Sequence, residues 1–227
     1  MYRKFASAIL CVAVLALASA TALAASKNGV TTSKNGRQTI ATKPQTKVFQ
    51  PYVDNDAPAS TIFSNLGSAY PLGVYWCCTG GTISGPLSII GTEYWEAIGF
   101  TPSANANVTK IAVAVGYVTG ATTDVILSLT KDSGGVPGAV LKKWKLKSMP
   151  SFGSCCVVDQ KGGASIPVTA GTPYWVTVST ESNSDIWAAW NMNDVDQVTP
   201  VPTAYAVGGV WTSYMGYPGF GVKVVGQ

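Results

Sequence analysis

The sequence predicts an all-β fold: a two-sheet antiparallel sandwich of jelly-roll-like topology, preceded by a flexible N-terminal leader. Three observations predict it. From Thr61 onward, short apolar runs alternate with period two, which sets one side chain inward and the next outward along an extended strand. Gly, Pro, Asn and Asp punctuate these runs at short intervals, and no stretch of helical period is long enough to form a helix. About ten short strands separated by turns bury their apolar faces most readily as two packed sheets. The chain divides into residues 1–24, a signal peptide; 25–60, a flexible basic leader; and 61–227, the sandwich domain.

Arg3 and Lys4 precede an uncharged apolar run from Phe5 to Ala18, and small residues lead to Ala22-Leu23-Ala24. This is the order of a secretory signal, with cleavage expected after Ala24 or Ala25. Cys11 follows Ile9-Leu10 rather than a small residue, so lipidation is not expected. No later segment approaches the roughly 20 apolar residues of a membrane span, and the end of the chain, Val222 to Gln227, reads as a last strand. The expected location is therefore secreted, extracellular or periplasmic, without a membrane anchor.

The segment from Ser26 to Ser60 is rich in Ser, Thr, Lys, Asn and Gly and repeats Ser-Lys-Asn-Gly at 26–29 and 33–36. With so little to bury, it is expected not to offset its own ordering entropy. Residues 25–47 carry five cations, Lys27, Lys34, Arg37, Lys43 and Lys47, and no acid. From Val48 onward, eight Lys face eleven Asp plus Glu, a formal charge of −3. A slightly acidic domain is a poor nucleic-acid binder, so no nucleic-acid partner is expected.

Within the domain, Tyr94 to Phe100 alternates, and Glu96 shares the parity of Tyr94, Ile98 and Phe100. Val108 to Tyr117 reads as one strand with Ile111, Val113, Val115 and Tyr117 on one face. In Asp124 to Lys131, Val125, Leu127 and Leu129 are expected inward and Ser128 and Thr130 outward. Gly134 to Gly138 is a turn, and Gly80-Gly81 is read the same way. In Ala139 to Lys147, Val140, Trp144 and Leu146 oppose Lys143, Lys145 and Lys147, a lysine row read as a solvated face or a guarded sheet edge. Further strands are expected at Ser165 to Val168, Tyr174 to Thr180, Asp185 to Met192, Ala204 to Val207 and Phe220 to Val225.

Several of these stretches carry a resemblance: Ala97-Ile98-Gly99-Phe100-Thr101-Pro102, the Gly-Gly-Val-Pro-Gly turn, Pro167 to Trp175, and Trp187-Ala188-Ala189-Trp190. Together, from about Glu93 to Gln227, they resemble bacterial secreted β-sandwich domains of the choice-of-anchor type. The resemblance implies a fold and an envelope location. It carries over no catalytic residue, because turns and core aromatics specify architecture and not activity. Members of that type end in a C-terminal sorting signal; Val222 to Gln227 reads as a strand, so attachment through such a signal is not expected.

Two adjacent cysteine pairs, Cys77-Cys78 and Cys155-Cys156, follow the signal. Adjacent side chains in extended chain point to opposite faces, so two disulfides joining one pair to the other are expected in an oxidising compartment. Zinc sites generally space their cysteines by two to four residues, which these pairs do not.

There is no histidine. Ser-His-Asp and Cys-His hydrolases and His-ligated metals are thereby excluded. No phosphate-binding or dinucleotide-binding glycine pattern appears, and neither cofactor nor metal is expected. Asp54-Asn55-Asp56 and Asp194-Val195-Asp196 are read as exposed turns in preference to calcium ligands. Glu96 is the one acid on an apolar parity, where burial would raise its pKa, but no second acid stands out beside it.

Seven tryptophans are the informative excess. Trp144 falls on a core parity, whereas Trp95, Trp175 and Trp187 fall opposite their strands' core residues. The expected ligand surface is Trp175 and Trp187 with Asn183, Asp185 and Asn191 beside them, since sugar rings stack on indoles while polar groups bind their hydroxyls. It assumes a hairpin between Tyr174–Thr180 and Asp185–Met192. The expected function is non-enzymatic: a secreted binding or surface-structural domain whose partner is a glycan or another extracellular protein. A carbohydrate-binding module and a carboxylate-dependent glycan-active enzyme are the alternatives.

Overall fold

A computed structural model describes residues 29–33, 36–42, 60–66, 78–154, 158–193, 201–214 and 219–227. Among them are fifteen strands and no α-helix. In chain order these are β1 (Gly29–Thr32), β2 (Gln38–Ala41), β3 (Thr61–Ser64), β4 (Thr79–Ser84), β5 (Tyr94–Phe100), β6 (Ala106–Val113), β7 (Val115–Thr119) and β8 (Val125–Asp132). They continue with β9 (Pro137–Leu146), β10 (Val158–Val168), β11 (Tyr174–Ser179), β12 (Trp187–Asn191), β13 (Thr203–Val207), β14 (Val210–Tyr214) and β15 (Val222–Gly226).

The strands form two antiparallel sheets, a β-sandwich, as the alternation predicts. The small sheet has the order β10-β6-β15-β3. The large sheet has two parts: β14-β13-β5-β11-β8-β9 and β1-β2-β4-β12-β7, joined where Ser84 of β4 pairs with Tyr94 of β5. Between the sheets, Ile98, Phe100, Leu127, Leu129, Val176 and Val178 pack against Val108, Ile111, Val113, Val222 and Val224 in one buried cluster. Each such side chain contributes about 1.5–3 kcal/mol by leaving water, the main favourable contribution to folding.

Four sequence expectations are corrected by the register. The first concerns Val108 to Tyr117, which is not one strand. Val113 pairs with Val222 and Val158 in the small sheet, while Val115 pairs with Trp190 in the large one. The chain changes sheet at Ala114, and apolar residues on both sides of that step hide it from a periodicity argument.

The second concerns Gly80-Gly81, which lies inside β4 and not in a turn. A Cβ at Gly81 would lie 2.4 Å from Glu96 Oε1 and 2.6 Å from the Phe220 ring, so the glycine permits a close approach. Gly134 and Gly135 do form the expected turn, with φ of +68° and +89°.

The third is Val140. Opposite β9, Thr130 pairs with Val140 but Leu129 pairs with Lys142, so an extra residue bulges at Leu141. The bulge reverses parity, placing Val140 on the outer face with Lys143, where it is 48% exposed.

The fourth is the leader. Residues 29–33 and 36–42 are not without structure: β1 and β2 pair, and β2 pairs with β4 through Thr39–Gly81, Ile40–Gly80 and Ala41–Thr79. Composition missed this because two side chains carry the docking. Ile40 is fully buried with Trp187, Phe152 and Cys78, and Arg37 is 4% exposed.

Candidate functional site

The outer face of the β14-β13-β5-β11-β8-β9 sheet carries a groove. Register aligns Ala204, Ala97, Thr177, Ser128 and Lys143 side by side across five strands. Four of these are small, so the middle of the face is a shallow trough between larger neighbours. On one side stand Trp95 of β5 and Trp211 of β14, both half-buried, with ring centroids 6.0 Å apart at 51°. On the other stand Pro137, Gly138 and Val140, where the β8–β9 hairpin rises. Ser128, Thr130, Thr177 and Ser179 form the floor, and exposed Lys143 and Glu181 line the rim. The cavity holds about 200 Å³, below the roughly 300–1,000 Å³ of drug-sized sites and suited to a single small ring.

Ser128 and Thr130 lie on the outer face, as expected, but are only 3% exposed beneath this groove. Thr130 Oγ1 is buried and has no hydrogen-bond partner among the described residues. A buried hydroxyl without a partner is costly. Trp95 Nε1 lies 3.4 Å from Thr180 Oγ1, a long hydrogen bond that orients the indole along the wall.

Trp175 lies on this face, as its parity predicts, but it is no stacking platform. It is 2% exposed, packed with Ala97, Ala204, Val136 and Trp211, and its Nε1 donates to Asp132 Oδ1 at 2.7 Å. The turn that carries Val136 closes over it, so the indole is tied down by a tertiary contact that strand parity does not encode. A second cavity, of about 330 Å³, is lined by Phe100, Pro173, Tyr174, Trp175 and Pro202.

Trp187 lies elsewhere. The assumed hairpin does not form: β11 pairs with β5 and β8, whereas β12 pairs with β4 and β7. Trp187 is 5% exposed in the cluster of Ile40, Phe152 and Ala189. The two indoles are therefore buried in different parts of the sheet, with no shared surface.

The polar companions also serve the fold. Asn191 is buried, and its Nδ2 and backbone N–H both donate to the Ala114 carbonyl, at 2.8 and 2.9 Å, at the point where the chain changes sheet. Asp185 Oδ2 accepts the Ala121 amide at 2.7 Å, which holds its carboxyl below the usual range and ties down the β7–β8 loop. Asn183 is exposed in the turn that follows Glu181. Sequence reasoning thus placed Trp175 and Trp95 on the face that carries the groove, but did not single out Trp211. The signal for Trp211 was the Val207-Gly208-Gly209-Val210 turn, which makes β13 and β14 a hairpin and brings it beside Trp95.

Away from the groove, Glu96 is 2% exposed and Arg37 Nε lies 3.6 Å from its Oε1. The guanidinium is held between the rings of Tyr214 and Phe220, 5.2 and 4.9 Å from their centroids. Burial raises the Glu96 pKa to about 8, and Arg37 opposes the rise without cancelling it. Beside the Ser84–Tyr94 junction, this pair fastens the β1–β2 hairpin and β5 together across the two parts of the large sheet. Neither residue lines the two cavities described above.

Cys78 is buried in the cluster that contains Phe152, while Cys77, Cys155 and Cys156, like Asp54, Asp56, Asp194 and Asp196, lie outside the described residues. Neither the family models nor the curated proteins compared with this chain match it.

Proposed function

We propose that the protein is a secreted, non-enzymatic carbohydrate-binding domain of the choice-of-anchor-type sandwich class, and that the groove beside Trp95 and Trp211 is its sugar site. The observation that supports this reading is the pairing of a half-buried indole wall with a floor of Ser and Thr side chains. Apolar C–H faces of a sugar ring lie against aromatic rings, and its hydroxyls exchange hydrogen bonds with Ser and Thr. Glycoside hydrolysis uses two carboxylates flanking the bond. Glu181 is the one carboxylate lining the groove among the described residues, so the enzymatic alternative has no comparable support. Export through the signal at residues 1–24 and cross-linking of the two cysteine pairs belong to the same reading, since both fit an oxidising, extracytoplasmic setting.

The test is a glycan array probed with the mature protein, repeated with Trp95→Ala and Trp211→Ala. Binding should weaken by about 1–3 kcal/mol in each variant, the worth of covering an aromatic side chain. Undiminished binding in both variants would remove the groove as the site.

A further inference from the structure

Given a sugar site in the groove, on which the following rests, its electrostatics point to one class of sugar. We propose that the groove takes an anionic glycan, with a carboxylate or sulfate facing Lys143. Lys143 is exposed, lines the groove, and has no acidic partner among the described residues. It pairs across the strand with Ser128, which puts its stem on the groove face of β9. Lys145 follows on the same face, ~7 Å along the strand, beside Ile126, and Lys147 comes just past the strand's end. Lys145 is already half-engaged by Asp124, 3.5 Å away, which leaves Lys143 as the freer charge at the cavity.

This row runs against the charge of its surroundings. From Val48 onward the chain is formally −3, yet the one cation lining the groove, Lys143, continues into Lys145 on β9 and Lys147 just past it. Guarding an edge strand accounts for lysines on β9 in general. It does not account for a lysine that lines a cavity walled by two tryptophans and floored by Ser and Thr side chains. The ring hydroxyls of a bound sugar would lie toward Ser179 and Glu181, and an acidic substituent on the same ring would lie toward β9 and Lys143. Glu181 on the rim opposes an anion, so the attraction comes from the β9 side and the two residues act with opposite sign.

The test compares three probes on the full mature chain: an oligogalacturonate, a sulfated oligosaccharide and a neutral cello-oligosaccharide. Titrations are run at low and high salt with wild type, Lys143→Gln, Glu181→Gln and Lys131→Gln. Lys131 is exposed on β8 but does not line the groove. At least one acidic probe should bind roughly tenfold tighter than the neutral one. That preference should shrink with added salt, be lost in Lys143→Gln, grow in Glu181→Gln and persist in Lys131→Gln. Which acidic probe binds identifies the substituent as carboxylate or sulfate. Equal or tighter binding of the neutral probe, or equal losses in Lys143→Gln and Lys131→Gln, would overturn the inference while leaving the sugar site standing. Failure of all three probes, together with an array that shows no glycan binding, would overturn both.

Discussion

A carboxylate and a guanidinium taken out of water together, with imperfect hydrogen bonding, set up a measurable linkage at Glu96. Its pKa is raised from 4.5 to about 8 in the folded protein, mainly by burial. Between these values the folded state holds a proton that the unfolded state has released, so stability falls as pH rises through that window. The difference in unfolding free energy between wild type and Glu96→Gln should therefore change steadily from about pH 4.5 to pH 8, with wild type losing ground as pH rises. A flat difference would show that Glu96 does not hold a proton there. Trp175 makes the complementary point. Its burial under Val136 and its bond to Asp132 predict that Trp175→Ala costs about 3–5 kcal/mol in chemical denaturation, as for other buried large side chains. The inward or outward parity of both residues was legible in the sequence. The enclosure of Trp175 was not, because it depends on a turn more than 35 residues earlier folding over the sheet.

Secondary-structure elements fared according to how much of their information is local. The strands β5, β8, β11 and β13 declare themselves through alternation and turn residues, and lie within a residue or two of their expected places. β4 contains a glycine pair and β2 only one large apolar residue, so neither has an alternating pattern to read; both are strands because of what they pair with. The docked hairpin gives a direct prediction. Deleting residues 25–42 removes the buried side chains of Ile40 and Arg37 and uncovers the apolar surface they pack on, a change worth several kcal/mol. Calorimetry should show the melting temperature lowered by roughly 5 °C or more, at about 2–4 °C per kcal/mol for a domain of this size. An unchanged melting temperature would make the hairpin dispensable.

At the scale of the molecule, one face of the large sheet builds the core and the other carries the groove, a division of labour that alternation makes possible. The cysteines bear on how the parts are held. Cys78 packs in the cluster with Phe152, a residue three positions before Cys155 in the sequence. Non-reducing peptide mapping should find two cross-links between the pairs, and their reduction should cost about 2–5 kcal/mol. Pairs closed on themselves would contradict that arrangement. The central claim, that sugars bind between Trp95–Trp211 and the β8–β9 hairpin, is tested most directly by the tryptophan indole N–H resonances during titration with an oligosaccharide that binds. The Trp95 and Trp211 signals should move with saturation, while those of Trp144, Trp187 and Trp190, buried elsewhere, stay in place. Binding that leaves Trp95 and Trp211 unmoved, or that shifts the buried set instead, would contradict the account.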